Sequence, residues 1–317
     1  MKSNLVIGLV PVLLATFFSC AKVELPVLTT AVVTAITPNS ASAGGNITSD
    51  GGGAIREKGV CWSTAPNPTI AKSKTEEGKG TGSFTSSITG LSPSTTYYVR
   101  AYATNKAGTS YGNEVVFSTS LADADGNVYN TVQIGNQVWM SENLRTTKYT
   151  NGTPVEHVTD DNAWYANSTG AYTWYNNDPS QKEIYGALYK WHAVSNPAGL
   201  CPHGWHVPAN AEWNELITFL GGETEAGSKL KESGNSHWFN QNTDATNTSG
   251  FTALPGGSRS EYGIFANQGY YGYFWTSTTY NMGNAWGVSL SAYDGIATTL
   301  YANIGFGYSV RCIRDAP

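Results

Sequence analysis

The sequence predicts an all-β sandwich followed by an α+β domain. Two observations carry the prediction. From Pro26 to Ser120, short runs rich in Val, Ile, Thr and Tyr alternate with clusters of Gly, Ser, Asn and Pro, as strands alternate with turns. From Asp123 to Asp315, strand-like runs are interrupted by an amphipathic helix and then resume, the order of an α+β unit. The length, 317 residues, fits two domains after an N-terminal targeting segment. Charged residues make up only 13 %, against 10 Trp and 19 Tyr, the reverse of a disordered composition. The formal net charge is −5 and no Lys/Arg cluster occurs, which argues against a nucleic-acid partner.

The first residues read as a targeting segment. Lys2 is followed by an uncharged apolar run from Leu5 to Phe18, and then by Ser19-Cys20. The run is shorter than the roughly 20 residues of a spanning helix and contains Pro11. Phe17-Phe18-Ser19 is not the small-x-small cleavage site of a soluble secreted protein. The segment resembles bacterial lipoprotein signals, although leucine is commoner at the position of Phe17. The expectation is a signal peptide over residues 1–19, a lipid on Cys20, and a place in the cell envelope as an outer-membrane lipoprotein. Three cysteines then remain: Cys61, Cys201 and Cys312. In an oxidising compartment, one pair and one unpaired thiol is the simplest arrangement. Cys61 lies in the apolar run Gly59-Val60-Cys61-Trp62 and reads as a buried free thiol. Cys201 and Cys312, both in the C-terminal half, are the disulfide candidates.

Within the sandwich, strand-like runs include 32–36, 83–88 and 115–117. The densest signal runs from Leu91 to Asn105. Tyr97, Val99, Ala101 and Ala103 fall on one face of a strand, and Leu91, Pro93 and Tyr97 have the spacing of a tyrosine corner. Asn105-Lys106-Ala107-Gly108 then turns the chain. This segment resembles fibronectin type III domains of bacterial surface proteins. The resemblance implies a spacer or docking surface, and no catalytic constellation is visible in it.

Ser118 to Ala122 form a short junction to the second domain. Asp125-Gly126 marks a turn, and Gly135-Asn136 joins the runs 131–134 and 137–140 as a two-residue hairpin. Trp213, Leu216, Ile217 and Leu220 stand at i, i+3, i+4 and i+7 of a helix that follows Pro208 and stops at Gly221-Gly222. Thr224 is the expected cap of a second helical stretch through Leu230, weakened by Gly227. Strands follow around 274–277, 285–288 and 309–314. The domain is similar to the Fibrobacter succinogenes major paralogous domain family. The matching runs are Asp125-Gly126-Asn127, Ile134-Gly135, Trp139-Met140, Glu142-Asn143-Leu144, Ala187-Leu188-Tyr189 and Gly199-Leu200-Cys201-Pro202. They continue with Gly204-Trp205-His206-Val207-Pro208, Gly250-Phe251, Ala253-Leu254-Pro255-Gly256-Gly257 and Ser309-Val310-Arg311-Cys312. No activity carries over from that family. The helix with Glu212-Trp213, the strand Trp275-Thr276-Ser277 and the closing Val310-Arg311 resemble a C-type-lectin-like or sulfatase-modifying fold. Such folds often bond a helix-side cysteine to the last strands, which implies a Cys201–Cys312 pair.

Candidate chemistry is sparse. His203 and His206 read as a turn into the helix rather than as metal ligands, because no third and fourth ligand is spaced to join them. Asp123 and Asp125 hint at calcium, but a turn is the better reading because the later glutamate of a calcium loop is missing. Glu212 and Glu215 share one helix, so they do not face each other across a substrate, and Glu212 reads as a helix-start charge. The sugar-binding motifs of C-type lectins are absent, and the residues around the cysteines do not match the active-site strand of formylglycine-generating enzymes. Dense aromatics remain, and Trp164, Trp174, Tyr271 and Trp275 are the candidates for stacking on a ligand. The expected function is a non-catalytic surface recognition or adhesion module with a glycan or protein ligand, without cofactor or metal. The alternatives are an enzyme of the sulfatase-modifying fold and a purely structural envelope protein.

Overall fold

The structure, a computed structural model, describes residues 22–239, 242 and 244–316. Residues 1–19 and the lipid-attachment candidate Cys20 lie outside the described residues. The described chain forms two compact units: residues 22–33, 42–87 and 98–116 make one, and 34–41, 88–97 and 117–316 the other.

The strands of the N-terminal region are β1 (Val27–Thr30), β2 (Ser40–Ser49), β3 (Glu57–Ser63), β4 (Ser73–Lys74), β5 (Gly82–Thr89), β6 (Thr96–Thr104), β7 (Thr109–Tyr111) and β8 (Val115–Ser118). One sheet has the order β1-β2-β5, and the other contains β4-β3-β6-β7. Leu28 and Ile47 from the first sheet pack on Ala101 and Ala103 from the second, with Ile55 and Phe84 beside them. This is the expected sandwich. Alternation along β6 buries Tyr97, Val99, Ala101 and Ala103, as a half-buried strand requires. The Tyr97 hydroxyl accepts the Ser92 N–H at 3.0 Å, so the tyrosine corner forms. Cys61 is a buried free thiol, and burial pushes its pKa up to about 11.

From residue 117 on, the larger unit continues with β9 (Leu121–Ala122), β10 (Val128–Tyr129), β11 (Thr131–Ile134), β12 (Gln137–Met140) and β13 (Glu156–His157). Next come α1 (Asp161–Ala166), β14 (Ala171–Thr173), α2 (Lys182–Tyr185), β15 (Leu188–Lys190), α3 (Trp191–Val194) and β16 (Trp205–His206). Then follow α4 (Asn210–Phe219), α5 (Glu223–Leu230), β17 (Ser258–Arg259), β18 (Phe265–Ala266), β19 (Tyr271–Asn281), β20 (Asn284–Ser291) and β21 (Ala297–Asn303). The chain closes with β22 (Gly307–Tyr308) and β23 (Ile313–Arg314). The larger sheets run β11-β12-β23-β16, β13-β14-β15-β22-β17-β18 and β19-β20-β21. The Gly135-Asn136 hairpin forms as expected, with Ile134 opposite Gln137.

Helix α4 buries Trp213, Leu216 and Ile217. They join a core with Trp139, Phe251, Phe274, Val288 and Leu290. The expected Thr224 cap does not occur: the cap position is Gly222, two residues earlier, and it offers no side-chain cap. Gly227 has a packing reason. A Cβ there would sit 2.5 Å from the carbonyl oxygens of Gly295 and Ile296, so only glycine lets the helix lie this close to that loop.

The closing segment stitches the unit together. Ser309 donates to Tyr273 O and accepts from Trp275 N, each at 3.0 Å. Val310 O accepts Leu144 N at 2.8 Å, and Cys312 O accepts Met140 N at 3.0 Å. Between them, Arg311 is 1 % exposed. Its guanidinium donates to Asn143 Oδ1 at 2.9 and 3.2 Å, to Thr252 O at 3.2 Å, and to Phe251 O. It also lies 4.2 Å from the Phe251 ring centre. Among the described residues no carboxylate pairs with it. Burial pushes its pKa down to about 9, which keeps it charged at neutral pH. Cys201 and Cys312 form a disulfide with Cα atoms 5.9 Å apart, closing a separation of 111 residues.

Replacing Arg311 by Ala or Lys leaves buried oxygens without donors and should cost about 3 kcal/mol or more, read as a lower denaturation midpoint. Replacing both Cys201 and Cys312 by Ser should cost about 2–5 kcal/mol in the same measurement. Cys61 should stay unalkylated by iodoacetamide at pH 8 in the native protein and react only in denaturant, as peptide mass mapping would show.

Candidate functional site

An exposed aromatic cluster of the larger unit lies at one end of the β19-β20-β21 sheet; a second exposed stack, Tyr165 on Tyr262, lies elsewhere. Strand alternation puts Asn284, Trp286, Val288 and Leu290 on one face of β20. Val288 and Leu290 are buried in the core with α4, whereas Trp286 is only partly covered. Trp286 is directly opposite Tyr301 on β21. Register shifts between Trp275 and Thr279 and between Thr279 and Asn281 interrupt β19. At the second of these irregularities the Tyr280 ring stacks on Tyr301, with centres 4.3 Å apart and planes 11° from parallel. Trp286 meets both rings edge-on, at 4.9 Å from Tyr280 and 6.2 Å from Tyr301. Tyr280 is 46 % exposed and Tyr301 57 %, and Met282 at the hairpin tip is fully exposed. Bulges re-aim side chains in this way.

The aromatics singled out from the sequence are placed differently. Trp164 is fully buried, donates to Ser260 O at 2.9 Å, and has the Arg259 guanidinium 4.5 Å from its ring. Trp275 is fully buried, donates to Tyr189 O at 2.8 Å, and packs on Tyr308. Trp174 is buried against Tyr172. These three are therefore core residues, not ligand contacts. Each large ring fills space that the short strands of this unit leave between layers. Tyr271 is half-buried, stacked on Tyr273 at 5.5 Å. The four do not share an exposed groove. The cluster of Tyr280, Trp286 and Tyr301 was missed. The only hint in the sequence was the pairing of two aromatic-bearing strands around Asn281 to Asn284, and no simple alternation reveals a bulge.

The polar candidates resolve into structural roles. Asp123 Oδ1 accepts N–H bonds from Asp125 and Asn127 at 2.9 and 3.0 Å. Its Oδ2 accepts from Asn127 Nδ2 and the Tyr129 hydroxyl at 2.8 and 2.5 Å. Gly126 has φ +85°, so this is the expected turn, and protein donors already surround Asp123. His206 joins three segments: Nδ1 lies 2.6 Å from Asp315 Oδ1, and Nε2 lies 2.9 Å from Glu212 Oε1. Glu212 also accepts the Ala209 N–H at 2.7 Å, the helix-start role expected of it. His203 does not join this set as a metal ligand, and no group of three His, Cys, Asp or Glu arranged for a metal occurs among the described residues. Burial alone would lower the His206 pKa, but the hydrogen bonds and charges of Asp315 and Glu212 outweigh it and raise the value.

The profile of the Fibrobacter succinogenes major domain family matches residues 132–314, more than half of the chain, and the chain belongs to that family. No curated protein matches it. Among solved structures, the sensor domain of the anti-sigma factor RsgI4 in Pseudobacteroides cellulosolvens is 22 % identical, with a TM-score of 0.24, over 31 % of this chain and 97 % of that one. The FN1–FN3 domains of chicken CNTN1 are 17 % identical, with a TM-score of 0.25, over 31 % of this chain and 33 % of that one. The third fibronectin III domain of human KIAA0343 protein is 16 % identical, with a TM-score of 0.25, over 32 % of this chain and 90 % of that one.

The raised His206 pKa sets a pH dependence. Its stabilising contribution is fully present below the unfolded value, about 6.5, and is lost as pH rises through the higher folded value. Stability of the wild type should therefore fall relative to His206→Gln across that window, as paired denaturation curves at stepped pH would show.

Proposed function

We propose that this protein is an envelope-anchored lipoprotein whose C-terminal unit is a non-catalytic recognition module for a glycan or protein ligand outside the cytoplasm. The observation that carries this reading is the uncovered aromatic end of the β19-β20-β21 sheet, with Tyr280, Trp286 and Tyr301 packed together and Met282 at the tip. Rigid aromatic groups on a fixed sheet bind with little loss of conformational freedom. The lipid on Cys20 would hold the chain at the outer membrane, and the sandwich would serve as a spacer. A C-type-lectin-like or sulfatase-modifying fold is our finer reading of the larger unit, supported by α4, the β19–β20 hairpin and a disulfide to the last strands. The disulfide weighs against the enzyme alternative, since it leaves neither Cys201 nor Cys312 as a reactive thiol.

The burial of Trp164, Trp174 and Trp275 favours a second reading, a purely structural envelope protein. A glycan and extracellular-protein array separates the two. Recognition predicts at least one ligand whose signal drops about tenfold in Trp286→Ala. A blank array, with a folded protein confirmed by circular dichroism, supports the structural reading instead. The anchor is tested by labelling cells with radioactive palmitate: the wild type should incorporate label and Cys20→Ser should not.

A further inference from the structure

We infer that the exposed end of the β19-β20-β21 sheet binds a neutral pyranose chain, an assignment that rests on the recognition reading above and names its ligand class. Three observations point to this chemistry. The first is the ring arrangement. The second irregularity of β19 accompanies the placement of Tyr280 on Tyr301, and each ring is about half exposed. Pyranose rings present flat C–H faces, and aromatic rings offer matching apolar faces.

The second observation is charge. Segments 277–290 and 297–306, which build this end, contain no Asp, Glu, Lys or Arg. Glu261 flanks it beside Gly305. An anionic sugar calls for Arg or Lys, and protein-binding hot spots are enriched in Arg as well as Trp and Tyr. The segments that build this end supply aromatics, amides, small hydroxyls and aliphatic groups, with Met282 exposed at the tip, and no charge.

The third is a set of polar atoms left for a ligand. Asn281, Asn284 and Asn303 lie in register across the three strands. Asn281 Oδ1 is used within the hairpin, by Gly283 N and Asn284 Nδ2. Asn303 Oδ1 accepts Gly305 N. Among the described residues, Asn281 Nδ2, Asn303 Nδ2, Asn284 Oδ1 and Trp286 Nε1 make no hydrogen bond. Three donors and one acceptor, all neutral, beside a ring stack match hydroxyl groups, which both donate and accept. The covered end of the same sheet, held by α4 at Val288 and Leu290, keeps this arrangement fixed before a ligand arrives.

The test uses the full-length protein in detergent. Cellohexaose, xylohexaose and mannohexaose are titrated by calorimetry and tryptophan fluorescence, with hexagalacturonate as the anionic comparison. The expected result is binding of at least one neutral hexamer and weaker or no binding of the anionic one. Trp286→Ala should weaken it about tenfold or more, and so should Tyr301→Ser, which removes an exposed ring and leaves the core intact. Tyr165→Ala, at an exposed ring elsewhere, should have no effect. Failure of all three neutral hexamers, or binding that both variants leave unchanged, overturns the assignment. If the array then yields a protein ligand that still depends on Trp286, the glycan assignment falls and the recognition reading stands. If nothing binds in either experiment, both fall.

Discussion

A guanidinium buried with no carboxylate partner among the described residues is the constraint on which the larger unit depends. Arg311 ties Asn143 to the adjacent Phe251 and Thr252, more than a hundred residues away in the chain. An apolar residue of the same size would fill the space and leave their oxygens bare. Arg259 repeats the solution: buried, it donates to the carbonyls of Val158, Thr159 and Gly263, to Asp161, and lies against Trp164. Lys190 and Lys231 also donate to backbone carbonyls from buried positions. The reason lies in the strands. Many are only two to four residues long, so much of the backbone falls outside regular ladders and its carbonyls need other donors. Long cationic side chains with several N–H groups reach those oxygens, and aromatic faces cover the charge.

That framework explains why the candidate site is where it is. Strand β19 runs between two cores: Trp275 faces one with Tyr189 and Tyr308, and Phe274 faces the other with Trp213 and Val288. The strand is therefore clamped on both faces over its first half, to Thr276. Beyond Thr276 the covering layers end, the register shifts, and the side chains turn to solvent. Rigidity and exposure meet in one stretch of chain, a combination suited to recognition without rearrangement.

Local signals were legible in the sequence. The tyrosine corner, the Gly135-Asn136 hairpin, the α4 stripe and the buried Cys61 each depend on a few adjacent residues, and each forms. The family resemblance pointed to the Cys201–Cys312 pair, which periodicity alone does not reveal. What could not be read was burial among aromatics. A dense aromatic run such as Tyr270 to Trp275 looks like a sticky surface, yet Phe274 and Trp275 are interior because neighbouring layers arrive from residues far away in sequence. The exposed trio was invisible for the converse reason: Tyr280 reaches Tyr301 through a register irregularity, which leaves no pattern in composition or alternation. Gly227 looked like a weakness in a helix and proved to be a contact point.

The hidden thiol of Cys61 also bears on how the protein matures. Cys201 has to wait for Cys312, which is synthesised more than a hundred residues later. During that interval an accessible upstream thiol would be a competing partner in exchange. Domains tend to fold in order of synthesis, so the sandwich can close over Cys61 before Cys312 becomes available to Cys201. A sequestered sulfhydryl with a raised pKa is a poor attacking group. Burial of Cys61 thus withholds a competing thiol from the pairing of Cys201 with Cys312.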